Sequence, residues 1–207
     1  LHTAYRRQRQ MCIRDRFTDL VEPFGIDESW LDVTGTLHLF GGDSVALADR
    51  IRGEVRRELG LTISVGVSFN KIFAKLGSDM KKPDAVTEIT EASFKEQIWP
   101  LPASELLYVG RATTERLRCY GIHTIGDLAK ADRQMLVRLL GINGEKLWIF
   151  ANGLDQSRVM PCDYDPPIKS VGHGITCTDD LLSKDEVRHV LMELSQEVGL
   201  KLRKNKL

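Results

Sequence analysis

The stretch 21-VEPFGIDESWLDVTG-35 decides how this chain reads. Asp27 and Glu28 stand side by side after Gly25-Ile26, and Trp30-Leu31-Asp32-Val33 then alternates like a strand. Successive strand residues point to opposite faces, so both carboxylates can meet one ion only if the backbone bends. Gly25 makes that bend easy. Converging carboxylates repel, and a hard, oxygen-seeking divalent ion such as Mg²⁺ turns the repulsion into attraction. Two solvated acids in a turn are the alternative reading of the same residues.

Working outward, the segment upstream of Phe17, 1-LHTAYRRQRQMCIRDR-16, has no helical or strand period. It reads as a basic arm for nucleic acid or, as the expectation adopted, a disordered tail or a scar from cloning or sequence assembly. Downstream, Asp43 or Ser44 of 41-GGDS-44 caps a helix whose stripe is Ala48, Ile51, Val55 and Leu59, ended by Gly60. The same GGDS is a poor match to the hairpin of nucleotide cyclases, because a helical pattern follows it. Strands are predicted in 61-LTISVGVS-68 and 85-AVTEI-89, with a helix in 70-NKIFAKLGSDM-80 between them. That order implies a sheet with helices packed on one face.

Pro100 and Pro102 mark a linker, 99-WPLPASEL-106, after which short helices are predicted over 113–120, 124–131, 132–140 and 145–152. A second linker, 162-CDYDPPIK-169, leads to a predicted strand, 170-SVGHGITCT-178, and an amphipathic helix over 184–206. Lys+Arg and Asp+Glu both number 29, so the chain is no strongly basic nucleic-acid binder overall, although local patches remain open. The 42% hydrophobic content supports a packed core. Cys12, Cys119, Cys162 and Cys177 form no C-x-x-C pair, which argues against a zinc site or disulfide framework and for a reducing, cytoplasmic setting. No run approaches the ~20 apolar residues of a membrane span.

Two further stretches carry charge at meaningful places. In 68-SFNKIFAKLGSDMKKPD-84, Lys71, Lys75, Lys81 and Lys82 lie on or just after a helix, and Lys82 precedes Pro83. A lysine so placed can hold a triphosphate as a point charge; a solvated helix face is the other reading. In 106-LLYVGRATTERLRCYGIHTIGDLA-129, an apolar run, a Gly turn and a helix make a helix–hairpin–helix pattern. Its turn at Val109, Gly110, Arg111, Ala112 and Thr113 can aim backbone N–H groups at a phosphate, with Arg111, Arg116 and Arg118 nearby. Such contacts hold a duplex without reading its sequence.

Together these stretches, with 139-LLGINGEKLWIFANGLD-155 and 168-IKSVGHGIT-176, resemble the Y-family, lesion-bypass DNA polymerases, in the family's order from about residue 17 onward. The resemblance implies an α+β fold. Residues 17–99 would be the later part of the polymerase palm, 100–165 an all-α helix–hairpin–helix thumb, and 166–207 the start of an α/β little finger, with 1–16 an unmatched basic tail. It implies that Asp27 and Glu28 are the catalytic, metal-binding acids of the family's S-I-D-E motif, here with Gly25 for the serine. Two Mg²⁺ ions are expected as cofactors. Lys82 would contact the triphosphate of an incoming dNTP. Val109 to Thr113 would grip primer–template DNA, as would Lys169, Ser170, Gly172 and His173. A sliding clamp is a further implied partner, through segments not seen here; a membrane is not.

One departure matters. The family's first metal-bridging aspartate and its fingers precede the part matched here, and no D-x-D-x-F-F run occurs before Phe17. The expectation is therefore a fragment, inactive alone, of an enzyme that performs translesion DNA synthesis. A non-catalytic helix–hairpin–helix DNA-binding module is the competing reading.

Overall fold

The structure, a computed structural model, describes residues 13–25, 27–164 and 167–207. It divides into two compact units, Leu1–Asp163 and Tyr164–Leu207.

The first unit opens with a hairpin rather than the single strand expected from Trp30 to Val33. Strand β1 (Val21–Phe24) pairs antiparallel with β2 (Glu28–Leu31), with Phe24 opposite Glu28. Gly25 turns the chain at φ +73°, a left-handed value that glycine adopts without strain. Phe24 packs on Trp30, ring centroids 4.5 Å apart.

Helix α1 (Ser44–Leu59) starts where capping chemistry predicts: Asp43 accepts the N–H groups of Val45 and Ala46. Gly60 ends it at φ +65°. Its buried stripe is Leu47, Ala48, Ile51 and Val55, packed with Ile13 and Phe17, so the ordered core starts upstream of the regular sequence pattern. Ile13 to Arg16 therefore depart from the expected loose tail; residues 1–12 of that tail lie outside the described residues.

Strands β3 (Val65–Ser68) and β4 (Val86–Ile89) pair in parallel, joined by helix α2 (Lys71–Met80), as a parallel pair requires. Asn70 caps α2 through Phe73 N–H. A Cβ at Gly66 would sit 1.9 Å from the Ala74 carbonyl oxygen, so α2 lies directly on β3. The predicted single sheet is corrected to two two-stranded pieces, β1-β2 and β3-β4, among the described residues. The two pieces are bridged by α2, whose Lys71 carbonyl accepts the Trp30 indole N–H at 2.9 Å.

The proline-marked linker at 99–106 is also corrected: it is built into the fold. Gly126 N–H bonds to Trp99, Ile125 N–H to Leu101, and Ala103 N–H to His123. Ahead of it lies α3 (Phe94–Ile98), too short to show a period in sequence. Helices α4 (Arg111–Arg118), α5 (Ile125–Lys130), α6 (Arg133–Leu140) and α7 (Ile142–Ala151) follow within a few residues of expectation. Thr124 closes a capping box with Asp127, and Asp132 caps α6. One apolar core joins these helices to α2 and β4 through Phe73, Leu76, Ile89, Leu117, Leu128, Leu136 and Leu147.

In the second unit, α8 (Lys184–Lys204) begins at a Ser183–Glu186 capping box. The strand predicted over 170–178 does not form. A strand is defined by its ladder, and no described residue pairs with this segment.

Candidate active site

The hairpin turn puts Asp27 at its end and Glu28 as the first residue of β2, beside a cavity of about 530 Å³. Asp27, Glu28, Ser29, Lys75, Ser78 and Lys82 all line that cavity. The sequence-predicted acids and the predicted triphosphate lysine, 54 residues beyond Glu28, thus face one space.

Between them runs a relay of ion pairs. Lys75 Nζ lies 2.9 Å from Glu28 Oε1 and 2.7 Å from Asp79 Oδ2, and Lys82 Nζ lies 2.8 Å from Asp79 Oδ1. Burial works against the Lys75 charge, but the Asp79 and Glu28 carboxylates outweigh it and hold the ammonium's pKa above the ordinary 10.5. At Asp79 burial pushes the pKa upward and is likewise outweighed, here by Lys75 and Lys82, leaving it below the ordinary 3.8. Arg14 stands on the other flank, donating to Ser29 Oγ and the Asp27 carbonyl. Burial lowers its pKa, opposed by the attraction of Asp27, Asp15 and Glu28.

Asp79 and Arg14 are residues that sequence reading missed, as is the pairing of Lys75, named there only as one of four helix lysines, with Glu28. Helical spacing was the available signal for Asp79: Lys75 and Asp79 are i,i+4, and Asp79 and Lys82 are i,i+3. Nothing local could have revealed Arg14.

The donor set suits a hard ion. Mg²⁺ is commonly held by one or two carboxylates while substrate phosphates and waters complete its shell. Two acidic residues lining a roomy cavity, one of them already drawing an ammonium, are donors of that kind. Among the described residues no group of three or more His, Cys, Asp or Glu side chains could hold a metal by itself.

A separate polar surface lies at the start of α4. Gly110 is its N-cap in extended geometry, without a side-chain cap. Gly110, Arg111 and Ala112 are exposed and Thr113 is half-buried. Val109 differs from its neighbours: its side chain is buried in the core, leaving only backbone to offer a ligand. Tyr108 beside it has φ +70° and an exposed ring packed near Phe150, a position sequence reading passed over.

In the second unit, Lys169, Ser170, Gly172 and His173 are exposed. There Lys201 Nζ donates to the Gly172 carbonyl at 2.9 Å and lies 2.9 Å from His173 Nδ1.

The impB/mucB/samB family model matches residues 2–79, and the model of that family's C-terminal domain matches residues 168–207. The chain is 52% identical over 205 residues to the DNA polymerase IV of Acetivibrio thermocellus, covering 99% of this chain and 50% of the relative. It is 40% identical over 188 residues to the DNA polymerase IV 1 of Bacillus subtilis, covering 91% and 45%. The chain thus spans about half the length of the curated relatives it matches. A Y-family DNA polymerase chimera superposes with a TM-score of 0.78 over 96% of this chain and 57% of the other, at 24% identity. DinB from Sulfolobus solfataricus does so with 0.68 over 76% and 46%, at 26% identity.

Proposed function

The chain belongs to the impB/mucB/samB family, with DNA polymerase IV proteins as its relatives, and from that premise we propose that it carries part of the nucleotidyl-transfer site of a translesion DNA polymerase. The observation that carries the reading is the meeting of Asp27, Glu28 and Lys82 around one cavity. Asp27 and Glu28 would hold Mg²⁺, which when bound supplies charge to activate a primer hydroxyl and to steady departing phosphates. The Gly25 turn sets both acids beside the cavity. Lys82, extended from the end of α2, meets the triphosphate of a dNTP as a point charge, releasing Asp79 or sharing it.

Duplex binding falls to other surfaces. The start of α4, with the Gly110–Thr113 backbone and the Arg111 side chain, suits phosphates of primer–template DNA, as does the Lys169–His173 segment. Both would act without reading sequence and weaken steeply with salt. Among the described residues no helix is long and apolar enough to cross a membrane, in keeping with work on DNA in the bacterial cytoplasm.

The test joins this chain to the residues that the Acetivibrio thermocellus relative carries outside the match, and follows Mg²⁺-dependent primer extension. Asp27→Ala is expected to lower extension at least about a hundredfold, with duplex affinity nearly kept. Extension untouched by the substitution would overturn the reading and leave a helix–hairpin–helix DNA tether in its place.

A further inference from the structure

We propose that Lys75 is a positioning residue for the acid pair: its ammonium is the chain's own counter-cation on Glu28, and it competes with a divalent ion for that carboxylate. The inference rests on the metal-binding reading of Asp27 and Glu28 given above. Lys75 owes its place to α2. The indole of Trp30 fixes the first turn of that helix against β2 through the Lys71 carbonyl. One turn later, Lys75 emerges opposite Glu28, and one turn further Asp79 offers a second acceptor.

The pairing is sheltered. The Lys75 side chain is only 16% exposed, so its charge needs partners in either state. Asp79 supplies the alternative: at 2.7 Å it already holds the ammonium, and yielding Glu28 to a metal gives up one contact without stranding the charge. Lys75 therefore keeps Glu28 oriented and neutralised while no divalent ion is present, then withdraws onto Asp79. A purely structural lysine would stabilise the fold without opposing metal uptake. The sign of its effect on metal affinity separates the two roles.

The experiment measures Mn²⁺ uptake by the 207-residue chain with electron paramagnetic resonance, for the wild type, Lys75→Met, Lys75→Arg and Glu28→Gln. Lys75→Met is expected to bind Mn²⁺ about tenfold tighter, as removal of one partly screened unit charge near the ion should allow. Lys75→Arg, which keeps the charge, should stay within about twofold of wild type. In the same samples Lys75→Met should melt lower in EDTA and recover on adding Mn²⁺. Should that variant not fold, Lys75→Gln keeps a polar tip and carries the same expectation. Equal or weaker Mn²⁺ binding in the charge-removed variant, with binding still lost in Glu28→Gln, overturns the role of Lys75 and leaves the metal reading standing. Mn²⁺ binding unchanged in Glu28→Gln, or absent from wild type and charge-removed variant alike, overturns both.

Discussion

The helical part of the first unit and the hairpin cluster beside it are held together by different forces. From α3 to α7 the side chains that matter are apolar and shut away from water: Leu117, Ile125, Leu128 and Leu136 are each fully buried. Around Asp27 and Glu28 the contacts are charged, half-exposed and arranged about open space. Burial of that kind gives a rigid scaffold, whereas exchangeable ion pairs give a surface that can trade its partners for a ligand's. The same helix, α2, serves both: Phe73 and Leu76 face the core, and Lys71 and Lys75 face the hairpin.

The contrast breaks most visibly at the core end. Phe73 is fully buried, its ring 5.3 Å from that of Phe94 and 5.6 Å from that of Phe69. Phe73→Ala should cost about 3–5 kcal/mol in urea unfolding. A loss below about 1 kcal/mol would mean that α2 is not anchored there.

A smaller effect is expected on the polar face. Lys71 Nζ lies 2.7 Å from Glu22 Oε1 and 4.4 Å from the Trp30 ring centroid, while Glu22 Oε2 accepts the Met160 N–H. Lys71→Met should cost about 1–2 kcal/mol, less than a fully buried pair because water still reaches it. Faster hydrogen exchange at the Met160 amide would show that Glu22 has lost its orientation.

The third effect is the smallest at neutral pH and is defined by its dependence on acid. Asp79 has a folded pKa below 3.8, so its pairing stabilises the fold above that value and is lost as pH falls through the folded pKa. Lys75 mirrors this at the other end: its contribution is complete below 10.5 and disappears as pH rises through its raised pKa. The Tm gap between wild type and Asp79→Asn should therefore be present at pH 7 and close as pH falls below 3.8 through the folded pKa. A gap of unchanged size in acid would sever Asp79 from its two lysines. Phe73→Ala should show no such closure.

What could be read from sequence follows the same division. Helices whose ends carry capping groups, such as Asp43, Asn70, Thr124 and Ser183, were placed within a few residues, because the start signal is local. The strand expected at 170–178 failed because alternation describes a face and not a pairing partner. The prolines at 100 and 102 suggested a linker, but their neighbours bond to 123–126, a contact that short-range pattern cannot foresee. At the site, the sequence singles out the acids and Lys82, and the structure sets all three around one cavity. The cations that answer the acids were not: Glu28 has no basic neighbour in sequence, and the fold brings Lys75 from 47 residues away.

The central claim is that the hairpin acids exist to share a divalent ion. Anomalous diffraction from crystals of this chain soaked in Mn²⁺ tests it directly. The account predicts a peak within coordinating distance of carboxylate oxygens from both Asp27 and Glu28, with the Lys75 amine drawn off Glu28 onto Asp79. Crystals at saturating Mn²⁺ with no peak there, and with Lys75 still bound to Glu28, would contradict it.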